Sequence, residues 1–213
     1  AGKQVTSRNM DDLAAVVDEV NSASGKRKTS ATDVPMMYFD GEVLWLKNIT
    51  INTGKSGIPG IVIDQPGVTV IIEGDCGISS YSGIGLKIAK DTKIYGDGKL
   101  SITSNDAAIL LESEEGDKHI NLEVNDIELS LFATNLAIKG SENDRCAVTL
   151  NNVTGWWQGN TGIVAGLQGG LEMNNCHFVE PEGLEMIGGK VFDGEALATY
   201  AALDHVTTLY EEF

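Results

Sequence analysis

Apolar and polar residues alternate through the middle of this chain, and the alternation returns in a short cassette. It reads LWLKNITI at 44–51, LEVNDIEL at 122–129, VTLNNVTG at 148–155 and LEMNNCHF at 171–178. In each copy the alternation leads into a polar residue, Asn48, Asp126, Asn152 or Asn175, and most copies then resume it. VTVIIEGDCGI (68–78) and TKIYGDGKLSI (92–102) are looser copies with an extra turn residue. Period two sets in near Val43 and holds to about Val191, and the turn residues Asn48, Gly74, Gly98, Asp126, Asn152 and Asn175 recur every 23 to 28 residues. That is the repeat length of a solenoid.

Each repeat divides into three short strands, from VLWLK, ITINT and GIVID in the first to GLEMN, CHFVE and GLEMI in the sixth. Tight turns bend each strand away from its predecessor, so it pairs with its equivalent in the next repeat, about 4.8 Å along an axis. The pattern therefore predicts an all-β fold, a right-handed parallel β-helix of about six three-strand coils. Its inward residues (Leu44, Leu46, Ile49, Ile51 and their equivalents) stack as apolar ladders. Gly, Asn and Asp suit the corner between the first and second strands because they tolerate left-handed backbone angles. A two-sheet sandwich would want hairpin turns and no fixed repeat. A leucine-rich horseshoe would show LxxLxLxxN and a helix-forming half, both absent.

The flanks read differently. Residues 9–21 predict a helix, with Asn9 as N-cap, Asp12 three residues on, and Leu13, Val16, Val17 and Val20 on one stripe. The following SASGKRKTSAT carries the only basic cluster, Lys26, Arg27 and Lys28, and reads as a solvated loop. After Val191, Leu197, Tyr200, Leu203, Val206, Leu209, Tyr210 and Phe213 predict a second helix with Asp193 as a cap. The expected organisation is one domain: residues 1–42 a helix and loop capping the solenoid, 43–192 the β-helix, and 193–213 a C-terminal capping helix. The last helix is also a candidate for self-association.

Composition and charge narrow the function. The chain has 213 residues, 25 of them Gly, with few aromatics, which suits a turn-rich β protein of one domain. Its 15 basic against 31 acidic side chains leave a net charge of −16, which repels phosphate backbones and anionic lipid, so no nucleic-acid partner is expected. No apolar run approaches the roughly 20 residues of a membrane helix, and no membrane insertion is expected. The first residues show no basic-then-apolar leader; a secreted domain after cleavage reads the same way. Cys76, Cys146 and Cys176 share the parity of core residues and show no CxxC spacing, so they are expected as buried free thiols, with Cys76 and Cys176 at the position of Ile49, Leu100, Ile127 and Val153.

An N-terminal helix followed by stacked three-strand repeats with Asn at the first turn resembles the pectate-lyase-like right-handed β-helix superfamily. The stretch VTVIIEGDCGISSYSGIGLKIAKDTKIYGDGKLSITSNDAAI is similar to glycine-rich repeats of bacterial secreted and surface proteins, including carbohydrate-binding β-helices. The likeness runs from about residue 9 to 192. It implies an extracellular or cell-surface location and a polysaccharide partner. Pectate lyases of this fold use an Arg base beside acids that hold calcium. Here Arg8, Arg27 and Arg145 are the only arginines, and only Arg145 lies in the repeats. Polygalacturonase-like hydrolases carry NTD, DD, GHG and RIK segments. None of these sits in the repeats, the lone DD being Asp11–Asp12.

The remaining candidates are acids, histidines and aromatic residues. Glu123, Glu128 and Glu172 have outward parity and could in principle supply a carboxylate pair, but outward acids on strands ordinarily serve solvation. His119, His177 and His205 show no triad or metal spacing and read as surface residues. Asp75, Asp97 and Asp126 would be the calcium candidates, yet turn chemistry already explains them, and no cofactor is expected. The aromatic residues carry the functional expectation. Trp45 and Tyr95 share outward parity on the first strand, and Trp156 and Trp157 are adjacent with one inward and one outward. Flat rings on a rigid sheet hold sugars through apolar contact. The sequence thus predicts a non-catalytic carbohydrate-binding or adhesion protein, with an unrecognised lyase or hydrolase and a structural self-associating module as alternatives.

Overall fold

The computed structural model describes residues 35–205 apart from 55, 56, 82 and 117. Strand β1 (Met36–Phe39) precedes five complete coils. The first coil comprises β2 (Val43–Lys47), β3 (Thr50–Thr53) and β4 (Ile61–Ile63), and the second β5 (Val68–Glu73), β6 (Asp75–Ser80) and β7 (Leu86–Ile88). The third comprises β8 (Thr92–Gly96), β9 (Lys99–Ser104) and β10 (Ala107–Leu111). The fourth adds β11 (His119–Asn125), β12 (Glu128–Ala133) and β13 (Leu136–Gly140), and the fifth β14 (Arg145–Asn151), β15 (Gly155–Gly159) and β16 (Gly162–Ala165). A terminal region follows: β17 (Gly170–Asn174), β18 (Cys176–Glu180), β19 (Glu185–Ile187), β20 (Lys190–Asp193), β21 (Ala196–Leu197) and β22 (Tyr200–His205).

Strands at equivalent positions pair in parallel, giving a right-handed β-solenoid with three long sheets. The first sheet runs β1-β2-β5-β8-β11-β14-β17, the second β18-β22-β15-β12-β9-β6-β3 and the third β16-β13-β10-β7-β4. Register converts the alternation into continuous ladders. Leu44, Val70, Ile94, Val124 and Leu150 succeed one another in the first sheet. Ile51, Ile78, Ile102, Leu131 and Trp157 do so in the second, and Ile61, Leu86, Ile109, Ile138 and Val164 in the third. These residues converge on one core in which Ile94, Ile102, Ile109 and Leu150 have no exposed surface. Each such side chain contributes about 1.5–3 kcal/mol by leaving water.

The corner column behaves as its chemistry requires at five of six positions. Asn48, Asp126, Asn152 and Asn175 take φ of 46°, 57°, 56° and 55°, and Gly74 takes 62°. Gly98 is the exception, since it has no positive φ. It needs to be glycine for space, because a Cβ there would lie 2.4 Å from the Gly74 carbonyl oxygen. Cys76, Cys146 and Cys176 are buried free thiols. Cys76 stacks on Leu100 as expected, but Leu100 then meets Leu129 rather than Ile127. The cassette alignment thus slips by two positions between the third and fourth coils.

Two expectations need correction. The solenoid has about five turns, not six: β17 continues the first sheet, but β18 does not reach β15, because β22 lies antiparallel between them. The predicted C-terminal helix is not formed over its described part, where residues 196–197 and 200–205 are strands. Tyr200–His205 also fits period two, with Ala201 and Leu203 buried and Tyr200 and Asp204 exposed. The open edge of β15 supplies backbone partners to that pattern, and pairing overrides helical propensity. Among the described residues there is no α-helix at all. The predicted N-terminal helix at 9–21 and the basic cluster at 26–28 lie outside them, as do residues 206–213.

Candidate functional site

On a strand whose alternate residues fill a core, the others must face outward, and parallel pairing then lines them up from coil to coil. In the first sheet one outward column reads Tyr38, Trp45, Ile71, Tyr95, Asn125, Asn151 and Asn174. The first four form an apolar and aromatic strip across β1, β2, β5 and β8. Tyr38 is 47% exposed and lies directly opposite Trp45, with ring centroids 5.6 Å apart and planes tilted by 32°. Trp45, Ile71 and Tyr95 are half-buried. The structure therefore brings the expected Trp45 and Tyr95 into one strip and adds Tyr38 and Ile71. Ile71 was legible from register. Tyr38 was not, because β1 is antiparallel and lies in a segment that shows no repeat.

Charged pairs border the strip. On one side the Lys47 ammonium lies 2.8 Å from the Glu73 carboxylate, one strand on. On the other, Lys93 lies 2.9 Å from Glu123, whose carboxylate also accepts from the Tyr95 hydroxyl at 3.4 Å. The hydrogen bond and charge of Lys93 hold the Glu123 carboxyl below the usual carboxylate range against partial desolvation, and Glu123 in turn raises Lys93. Beyond Tyr95 the column changes to asparagine. Asn151 donates to the Asn125 side-chain oxygen at 2.8 Å and Asn174 to that of Asn151 at 2.9 Å.

The other aromatic candidates divide. Trp157 is fully buried, its indole N–H donates to the Leu129 carbonyl at 3.1 Å, and its ring meets Phe178 edge-on. It is a core residue and offers no surface for stacking, because its parity on β15 points it inward. Trp156 faces outward on the second sheet but stacks on Tyr200, 5.5 Å between centroids at 19°, so one of its faces is used in holding β22 against β15.

The candidate carboxylates do not assemble. Glu128 lies on the second sheet paired to Lys99, while Glu123 and Glu172 lie on the first sheet with Thr149 between them. Asp75, Asp97, Asp126 and Glu128 border an open groove of about 380 Å³ along the corner between the two sheets, with His205 at one end. Within it Asp126 accepts from Asn152 at 2.8 Å. Among the described residues no group of three or more His, Cys, Asp or Glu is placed to hold a metal ion. His119, His177 and His205 are exposed.

The described chain is thus a parallel β-solenoid carrying an aromatic strip on one sheet. Compared with known proteins, it matches no family model, no curated protein and no solved structure.

Proposed function

We propose that this protein binds carbohydrate through the strip of Tyr38, Trp45, Ile71 and Tyr95, without catalysing its cleavage. The supporting observation is the register that places these side chains on successive strands of one sheet. Each strand is locked to its neighbours by backbone hydrogen bonds, so the rings are presented with little conformational freedom left to lose on binding, which favours affinity. Apolar ring faces meet the CH faces of a sugar, while Glu123 and Lys47 at the borders offer hydrogen bonds to hydroxyls. The reading assigns no catalytic residue, no metal and no cofactor. It agrees with a place among pectate-lyase-like β-helices of the non-catalytic kind and with work outside the cell or at its surface, where polysaccharide and adhesion partners are met.

Affinity electrophoresis through gels cast with plant, bacterial and host polysaccharides tests this. Retardation on at least one polymer is expected, reduced about tenfold or more by Trp45→Ala or Tyr95→Ala, as for other aromatic anchors. Retention that survives both substitutions in folded protein would refute the assignment of the strip.

A further inference from the structure

We infer that the strip selects a neutral, extended glycan lying along the solenoid axis and discriminates against uronic-acid polymers. The inference rests on the carbohydrate-binding reading above and names its ligand class.

Direction comes from the register. Tyr38, Trp45, Ile71 and Tyr95 follow one another across strands, so the strip runs along the axis, with apolar platforms about 4.8 Å apart and about 14 Å from first to last. That step is close to the length of one pyranose unit in an extended, ribbon-like chain. Such a chain can set successive rings on successive strands. A coiled polymer turns its rings away from a straight row and keeps fewer of them in contact.

Charge selects within that class. A uronate gains most from a cation whose charge is not already neutralised by a neighbouring carboxylate. Among the described residues the cations along the strip, Lys47 and Lys93, are each in contact with a carboxylate, Glu73 at 2.8 Å and Glu123 at 2.9 Å. Arg145 also belongs to this sheet but begins β14, opposite His119, whereas the column of Tyr95 and Asn125 passes through Asn151 at the far end of that strand. The separation is about 20 Å along the strand, well beyond the roughly 8 Å over which charge acts at physiological salt. Around these local pairs the whole chain carries −16, a field that repels a polyanion. A neutral sugar is indifferent to that field and uses both members of each pair, the carboxylate as acceptor and the ammonium as donor.

Hydroxyethyl cellulose and carboxymethyl cellulose share one extended backbone and differ in charge, so they make the test. The expected result at low salt is retardation of the wild-type protein by hydroxyethyl cellulose at about one-tenth or less of the carboxymethyl cellulose concentration, with the gap narrowing as salt is added. Trp45→Ala and Tyr95→Ala, each verified as folded by circular dichroism, are expected to lose the neutral binding. Glu123→Gln removes the carboxylate charge beside Lys93 and is expected to raise the affinity for carboxymethyl cellulose several-fold. Equal or tighter binding of carboxymethyl cellulose or polygalacturonate that Trp45→Ala abolishes would overturn the inference while leaving the strip as the binding site. Absence of any binding to hydroxyethyl cellulose that depends on Trp45 or Tyr95 would overturn this inference, and absence of such binding across the whole panel of plant, bacterial and host polysaccharides would remove the carbohydrate reading with it.

Discussion

Asn151 donates its side-chain amide to the side-chain oxygen of Asn125, one coil below at 2.8 Å, and receives the amide of Asn174 from the coil above at 2.9 Å. Asn125 is only 6% exposed and its own amide reaches the Ile94 carbonyl at 3.4 Å. The row is therefore a stack of amides in which each member satisfies the next. Replacing the middle one, Asn151→Ala, leaves the Asn125 oxygen and an Asn174 N–H without their partners. Burial makes the first loss costly, and a destabilisation of about 1–3 kcal/mol is expected from the unpaired group. Urea unfolding checks it. Asn174→Ala, at the exposed end of the row, is expected to cost less.

Asp144 sits 2% exposed after β13, and its carboxylate accepts from the backbone N–H of Ser113 at 2.9 Å and of Lys118 at 3.0 Å. It thereby ties the segment after β10 to the start of the fifth coil. Burial opposes its ionisation, but the two backbone amides, Ser141 and the Lys118 charge outweigh it and hold the carboxyl below the ordinary 3.8. A carboxyl with a depressed folded value stabilises the fold above its unfolded value, and that contribution is lost as pH falls through the folded one. Asp144→Asn is expected to lower stability at neutral pH and to flatten its fall below about pH 4 relative to the wild type. Thermal unfolding from pH 7 to pH 2 on both proteins reads the difference, which cancels the general relief of negative charge on acidification. Parallel acid limbs would contradict the assignment.

The architecture was legible because a solenoid writes its core as a short-range repeat. Leu44, Val70 and Ile94 are far apart in the chain yet share one offset from their corner residues, so the pattern gives the strands and these partners, whereas Val124 and Leu150 continue the same ladder at a shorter offset that the repeat does not announce. The terminal region has no such redundancy. Tyr200 and Leu203 fit a helical stripe, yet Tyr200–Leu203 fits a strand alternation as well, and the free edge of β15 decides between them. The aromatic strip was half legible for the same reason. Trp45 and Tyr95 followed from parity, whereas Tyr38 joins them through an antiparallel pairing that no repeat announces. Trp156 and Trp157 were separable by parity, but only the structure shows Tyr200 occupying a face of Trp156.

The thiols give a reactivity prediction. Burial raises Cys76 and Cys146 above the ordinary thiol value, more than the backbone groups near them lower it. All three cysteines are buried, and the thiolate is the reactive form. In native buffer at neutral pH, a disulfide reagent such as dithionitrobenzoate is expected to label none of the three within the time in which free cysteine reacts fully. In denaturant all three are expected to react at once. Rapid native labelling of any one of them, mapped by mass spectrometry, would show that its coil opens locally.

Trp157 and Trp45 should separate stability from binding. Trp157 has no exposed surface, packs edge-on against Phe178 and gives its N–H to the Leu129 carbonyl across coils. It also faces Ala201 of β22, so it secures the strand that closes the second sheet. Trp157→Ala is expected to cost about 3–5 kcal/mol as a core aromatic truncation. Trp157→Phe keeps most of the packing and strands the Leu129 carbonyl, at about 1–3 kcal/mol. Trp45 is half-buried on the outer face, so Trp45→Ala is expected to cost distinctly less than Trp157→Ala while losing polysaccharide retardation. Chemical denaturation and affinity electrophoresis on the same three variants decide it. Unimpaired binding in Trp157→Phe together with lost binding in a stable Trp45→Ala is the expected pattern. The reverse would place the ligand on the second sheet, beside Trp156 and Tyr200.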